Sequence, residues 1–297
     1  MPGSGVAPQV RVFDTTGQPI DQFFAYQLHL RMGVNLEVAD IDGDGSDEII
    51  TVPMAGEPPH VKIMNGKGEL ENDFFAYDEM FTGGVNLAVG DVDGDGNIEI
   101  ITAPASGGAP DIRIFNGDGS QVTGLWAYSS LIRGGFNVAT AELNGDSIID
   151  IMVTPGEGFG PQVAMFTGAG NLIGRFWAFA TTFDGGINAA AGDITGDSYN
   201  EIIVTPMTKG GPQVRVFDYQ GSAISQFWAY SQSLRGGYTP ILMDIDQDGG
   251  NEIVTAPGEG FGPHVRAFEY DGTEVSNIFT HSMYFRGGVN VSSIPTL

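Results

Sequence analysis

The sequence predicts an all-β protein, a β-propeller of four-stranded antiparallel blades, and three observations predict it. A unit recurs every 51 residues without insertion: Pro8, Pro59, Pro110, Pro161, Pro212 and Pro263 open six copies. A period this long and regular means one supersecondary unit packed against its neighbours. Each unit holds four short strand signals divided by turn residues, and no stretch of about ten residues carries the 3.6-residue period of an amphipathic helix. Four strands in a repeat of about 50 residues make a propeller blade, whereas solenoid coils are usually shorter and seldom carry four strands.

The second copy shows each element. His60–Met64 alternates Val61 and Ile63 with Lys62 and stops at Asn65-Gly66. Asp73–Tyr77 is an aromatic knot, Val85–Val92 leads into an acidic loop, and Ile98–Ala103 leaves it and ends at Pro104. Cut from innermost to outermost strand, blades run approximately over 33–83, 84–134, 135–185, 186–236 and 237–286. A sixth combines 287–297 with 1–32, using the strands Gln9–Asp14 and Gln22–Tyr26. It lacks a second strand, which either Met1–Ala7 or Ser293–Leu297 improvises unless the ring is cut from a larger one. Six blades are expected, with a seven-bladed parent as the alternative.

Hydrophobic residues make up 41% of the 297, enough for a packed core, so one repeat-built domain is expected and not disorder. The 45 glycines fall mostly at fixed places in the repeat, as turn chemistry. No cysteine is present, which removes disulfides and thiol chemistry. The formal charge of −25 makes nucleic acid and anionic membranes poor partners. No apolar run approaches the ~20 residues of a membrane span. Met1–Gly5 does not resemble a signal peptide, and PGSGVAP matches PGEGFGP at 155–161. The chain is therefore expected to begin in mid-unit, as a piece of a longer protein with a start methionine added.

Most copies carry an acidic loop between their third and fourth strands, which are the first and second strands of a blade. The first copy places Asp40, Asp42, Asp44 and Glu48 at loop positions one, three, five and nine. The second repeats this with Asp91, Asp93, Asp95 and Glu99, and the fifth with Asp244, Asp246, Asp248 and Glu252. Alternate spacing lets short carboxylates turn toward one centre, and the later Glu closes the shell. That is the chemistry of Ca²⁺, which takes about 6–8 oxygens. The position-seven carbonyls (Ser46, Asn97, Ile148, Tyr199, Gly250) and water would supply the remainder. Zinc and copper are disfavoured because no Cys or His accompanies the loops. An EF-hand closes about three residues later and sits between helices, so these are hairpin loops.

The third loop (Glu142, Asn144, Asp146, Asp150) and the fourth (Asp193, Thr195, Asp197, Glu201) are weaker. Both replace the position-six glycine with Ser147 or Ser198, straining a left-handed bend by roughly 1 kcal/mol. Binding there is expected at lower affinity. Up to five Ca²⁺ ions are expected, strongest at 40–48, 91–99 and 244–252; their ten charges would take −25 to −15. The sixth copy has Pro295 in place of the first Asp.

The run from Gly83 to Pro104, GGVNLAVGDVDGDGNIEIITAP, resembles an FG-GAP/VCBS-type repeat, the calcium-binding blade of integrin α-subunit propellers and of bacterial surface and secreted proteins. The resemblance covers nearly the whole chain. It implies a propeller with the strand before the acidic loop innermost and the knot strand outermost. It also implies calcium at the matched Asp and Glu positions, and an extracellular or cell-surface setting.

Remaining features each have a structural and a functional reading. The knots (Phe74/Phe75/Tyr77, Leu125/Trp126/Tyr128, Phe176/Trp177/Phe179, Phe227/Trp228/Tyr230) are read as packing between blades before sugar platforms. Arg31, Arg133, Arg235 and Arg286 are read as solvated before anion-binding, with Thr82 and Asp184 in the other copies. Asn35, Asn86, Asn137, Asn188 and Asn290 are read as turn-stabilising. His60 and His264 share a register, His281 replaces the knot tyrosine, and His29 stands alone. No Ser-His-Asp order and no carboxylate pair outside the loops forms an acid–base set. The expectation is a non-catalytic, monomeric calcium-binding module for adhesion, recognition or structure, with an unnamed protein or glycan ligand. The alternative is the scaffold of a calcium-dependent carbohydrate-active or phosphoester hydrolase.

Overall fold

The computed structural model describes residues 7–13, 19–30, 33–289 and 291. No helix occurs among them. They hold 22 strands. β1 (Gln9–Phe13) and β2 (Pro19–Phe24) pair alone, and five four-stranded antiparallel sheets follow in chain order. The first blade is β3 (Val34–Ala39), β4 (Glu48–Pro53), β5 (His60–Met64) and β6 (Leu70–Phe75). The second is β7 (Val85–Gly90), β8 (Glu99–Pro104), β9 (Asp111–Phe115) and β10 (Gln121–Trp126). The third is β11 (Phe136–Ala141), β12 (Asp150–Pro155), β13 (Gln162–Phe166) and β14 (Leu172–Trp177). The fourth is β15 (Ile187–Gly192), β16 (Glu201–Pro206), β17 (Gln213–Phe217) and β18 (Ala223–Trp228). The fifth is β19 (Tyr238–Met243), β20 (Glu252–Pro257), β21 (His264–Phe268) and β22 (Glu274–Phe279).

The propeller expectation holds at the level of blade design; the expectation of six or seven does not. The described residues form five complete blades and one two-stranded sheet. The composite blade falls in part on residues 1–6, 14–18, 31–32, 290 and 292–297, which lie outside the described residues and include Arg31, Asn290 and Pro295. Strand limits also shift. The knot strand of the second copy is Leu70–Phe75, not Asp73–Tyr77, because β6 must pair back along β5 as far as Met64. Ala76 and Tyr77 then turn away toward the next blade.

Burial explains the order of strands. The second strand of every blade is buried at all six positions, as in EIITVP of β4, because both its faces lie between neighbouring blades. The outermost strand is largely exposed. At the β5–β6 turn Gly68 has φ +80°, and a Cβ there would lie 2.4 Å from the ring of Phe23 on the preceding sheet. Gly119 meets Phe74 in the same way, and Gly221 meets Phe176. Only glycine allows both the left-handed turn and this approach. The first ring of each knot therefore packs on the next blade: Phe74–Phe115, Phe176–Phe217 and Phe227–Phe268 centroids lie 4.9, 4.9 and 5.1 Å apart.

Two polar series cross the same seams. The Tyr77 hydroxyl donates toward Thr102 O (3.0 Å) and Asp111 O (2.8 Å), and Tyr26, Tyr128 and Tyr230 do likewise. Burial holds these phenols far above their ordinary pKa. Asn35 Nδ2 donates to Val85 O (2.7 Å) and Asn86 Oδ1 (2.9 Å), and Asn86 donates to Phe136 O and Asn137 Oδ1. Asn137 and Asn188 reach Ile187 O and Tyr238 O. These asparagines staple the innermost strands of adjacent blades; they are not turn residues as the sequence suggested.

Candidate metal centres

The acidic loops join the first and second strands of each blade, so the antiparallel order brings all five to one face of the molecule. In the first, Asp40 Oδ1 accepts from Gly43 N–H (2.9 Å) and Oδ2 from Gly45 N–H (3.0 Å). Asp42 Oδ1 accepts from Asp44 N–H, and Asp44 Oδ1 from Ser46 N–H at 2.8 Å. The closing Glu48 is buried, and its Oε2 accepts from Ile41 N–H at 2.9 Å. The second loop repeats every bond: Gly94, Asp95, Gly96 and Asn97 donate to Asp91, Asp93 and Asp95, and Val92 to Glu99. Backbone donors thus hold both oxygens of Asp40 and Asp91 and one oxygen of each later acid in these two loops.

Three loops bring carboxylate oxygens within 4.8 Å of one another: Asp40, Asp42 and Glu48; Asp91, Asp93 and Glu99; Asp244, Asp246, Asp248 and Glu252. These are the loops expected to be strongest. Asp44 and Asp95 stand outside the first two groups, their Oδ1 turned to the next turn's N–H. Glu99 Oε1 and Asp244 Oδ1 are buried without any hydrogen-bond partner. An unpaired buried carboxylate oxygen is costly. Burial, then Asp93, Asp91 and Asp95, pushes Glu99 up to about 7. Burial likewise raises Glu48 and Glu252, and neighbouring aspartates add to it. A hard cation would supply the missing partner and remove this repulsion, so the residues present fit Ca²⁺.

The other two loops satisfy themselves. Asn144 Nδ2 donates to Asp150 Oδ1 at 3.1 Å, and Thr195 Oγ1 to Glu201 Oε1 at 3.3 Å. These bonds pair the very oxygen that Glu99 leaves unpaired. Glu142, one methylene longer than Asp, folds Oε1 back onto the N–H groups of Asn144, Gly145 and Asp146. Asp193 keeps its bonds to Gly196 and Ser198, and Asp197 accepts from Tyr199 N–H. Burial raises Asp150 to about 6 and also raises Glu201. The position-seven residues Ser46, Asn97, Ile148, Tyr199 and Gly250 all donate N–H to the position-five acid at 2.8–2.9 Å.

The left-handed bends fall where expected, Ser147 at φ 69° and Ser198 at φ 71°. Gln247, at φ 64° in the fourth position of the fifth loop, adds a strained residue the sequence reading missed. The signal was present, since Gly43, Gly94, Gly145 and Gly196 fill that place elsewhere. Glu71 and Asn72 were missed as well. They line a cleft of about 530 Å³ between the first two loops with Asp42, Glu48, Asp95 and Asn97. Val122, Ile173, Ile224 and Val275 stand at the register of Glu71, so its charge was a visible exception. Burial and then Asp42 and Asp44 raise the Glu71 carboxyl.

On the opposite face Arg133, Arg235 and Arg286 each donate to two carbonyls of their own turn, such as Ser130 O and Ile132 O. Asp184, in the same register, instead pairs with Lys209 (3.3 Å), which also reaches Glu157 (3.0 Å). Lys209 occupies, at φ 59°, a place filled by glycine in the other copies.

No protein-family model matches the chain. Over 200 residues it is 30% identical to the integrin alpha pat-2 of Caenorhabditis elegans, covering 65% of this chain and 14% of that protein. A protein of unknown function from Bacteroides caccae superposes with a TM-score of 0.61 at 13% identity, covering 95% of this chain and 94% of the other. A rhamnogalacturonan lyase of Bacillus licheniformis superposes with a TM-score of 0.52 at 17% identity, covering 82% of this chain and 50% of the lyase. The chain thus spans a small part of its integrin relative and half of the lyase. The likeness to integrin-type propellers read from the repeat holds in sequence and in fold.

Proposed function

We propose that the chain is a calcium-binding propeller acting outside the cell or on its surface as a non-catalytic adhesion, recognition or structural module. The observation that carries this reading is the pair of buried, partnerless oxygens, Glu99 Oε1 and Asp244 Oδ1, inside oxygen-only cages at equivalent hairpins. Calcium would supply the positive charge these cages lack. The chain's own residues do the rest: Asp40, Asp91 and Asp244 cap the loop, Asp42, Asp93 and Asp246 face them, and Glu48, Glu99 and Glu252 close the cage from the buried second strand. Three strong ions are proposed, with the self-satisfied loops at 142–150 and 193–201 weak. The likeness to an integrin α-subunit supports recognition over catalysis, while the lyase shares only the fold. A hydrolase would need an acid–base set beside an open metal position. A single monomeric domain with blade limits near 33, 84, 135, 186 and 237 fits this reading, and the charge of −25 disfavours nucleic acid as partner.

The two-stranded sheet β1–β2 packs on the first blade as the outer strands of one blade pack on the next. Tyr26 and Phe23 meet the first blade as Tyr77 and Phe74 meet the second. At the other end Val289 and Val291 pack against the fifth blade. His281, at the register of those tyrosines, is lowered by burial and then by positive charge that includes Arg11 of β1.

Thermal melts with calcium and with a chelator test the calcium reading, together with ion counting by calorimetry. A melting temperature that rises with calcium and a count near three are expected. Identical melts would remove the metal from the account.

A further inference from the structure

The last residue of every outermost strand is a large ring that stays half in water. Phe24, Phe75, Trp126, Trp177, Trp228 and Phe279 share one position of the repeat and expose between 41% and 55% of their surface. The chain's three tryptophans all stand here. In five of the six copies the side chain one residue earlier (Phe23, Phe74, Leu125, Phe176, Phe227) turns the opposite way and packs inward; only Ile278, before Phe279, is exposed as well. Half-exposed indoles at one repeated position offer flat amphipathic faces with a polar N–H at the rim.

The surroundings of these rings are polar and ordered. The residue directly opposite each ring on the third strand is Gln, His or Asp. Beside Trp228, Gln213 Nε2 donates to Gln226 Oε1 at 3.0 Å; beside Trp126, Asp111 pairs with Arg113 at 3.0 Å; His60 and His264 instead stack on Phe75 and Phe279, with centroids 4.7 and 4.4 Å apart. Trp177 and Trp228 rest on bare backbone, since a Cβ on Gly160 or Gly211 would lie 2.7 or 2.6 Å from the indole. The indole is therefore seated against a fixed loop.

We infer that Trp126, Trp177 and Trp228 are stacking platforms for a neutral oligosaccharide of equatorially linked pyranoses, one subsite on each of these three neighbouring blades. A pyranose of this kind has a flat face of axial C–H groups, which suits an indole or phenyl face, and an equatorial rim of hydroxyls, which suits the flanking amides. A protein partner wants one contiguous apolar centre, whereas single rings spaced blade by blade suit a repeating polymer. The charge of −25 selects against anionic sugars. This inference deepens the recognition reading above, but it stands on the rim and not on the metal loops.

The test uses the calcium-saturated full chain, whose melt is recorded first. Cellohexaose and chitohexaose are titrated to millimolar concentration while tryptophan emission and saturation transfer to the sugar are read. A saturable emission change with transfer to the sugar C–H protons is expected. Each single Trp→Leu change removes about a third of that amplitude, and the triple variant binds about threefold to tenfold more weakly. Leucine keeps apolar bulk, so an unspecific apolar surface would keep its affinity, and unweakened binding by the triple variant overturns the inference. So does silence of wild-type emission and transfer. Loss of self-association in the triple variant, seen by sedimentation, also overturns it and gives the rings to an interface between copies. Should the triple variant not fold, Gln226→Ala leaves every ring in place; a diminished Trp228 response supports the platform and an intact one sinks it. Failure with either sugar while the melt still depends on calcium removes the platforms and leaves the calcium scaffold standing.

Discussion

Glu99→Gln separates a metal cage from an ordinary loop cap because the two give different signs. Glu99 is fully buried, Oε2 accepts from Val92 N–H at 2.9 Å, and Oε1 has no partner. Glutamine keeps an acceptor for Val92 and removes the charge. In chelator at pH 8 the wild-type carboxylate, pushed up to about 7 by burial and three aspartates, is ionised at a cost. Discounted for the solvent around those aspartates, this cost is on the order of 1–2 kcal/mol. The ion-free variant should therefore melt a few degrees above wild type. With calcium that advantage disappears. An ion held at a hundred times its Kd stabilises by about 2.7 kcal/mol, and losing a charged ligand weakens the site at least about tenfold, removing roughly half of that. Scanning calorimetry of both proteins in both conditions reads the result. Destabilisation of equal size with and without calcium would refute the cage and leave Glu99 as a cap for Val92.

Other outcomes follow from the same geometry. Carboxyl groups raised on folding stabilise below their unfolded pKa and lose that contribution as pH rises through the folded value. In chelator the melting temperature should thus fall between pH 5 and about 7, through Asp150 near 6 and Glu99 near 7, and calcium should flatten the profile. Ser147→Gly and Ser198→Gly relieve left-handed backbone at φ 69° and 71° and should each stabilise by roughly 0.5–1 kcal/mol in urea titrations. Tyr77→Phe removes a hydroxyl shared by two buried carbonyls and should cost about 1–3 kcal/mol by the same titration. Phe179 fills that register in another copy without a hydroxyl, so the variant should still fold.

Much of the candidate site was legible because its signal is local. Asp40, Asp42, Asp44 and Glu48 lie within nine residues, and alternate spacing alone says that their oxygens can share a centre. What the loops do with those oxygens was not legible. Asn144 and Thr195 read as ligands of the two weaker loops, but the structure shows them donating to Asp150 and Glu201. The asparagine series was misread as turn chemistry because its partners are carbonyls a whole repeat away, as Asn35 to Val85. The knots were read as one packing unit, yet pleating sends Phe74 to the next blade and Phe75 to water.

By itself, the sequence determined the unit: a 51-residue period, four strands, glycine at each hairpin and acids at alternate loop positions. These depend on neighbours in the chain, so periodicity records them. Tertiary structure decided how units meet: Tyr77 spanning to Thr102 and Asp111, Gly119 admitting Phe74, and Glu99 sealed with one oxygen unpaired. Those facts arise at seams between blades, where burial and hydrogen-bond supply depend on side chains brought together only by the closing of the fold.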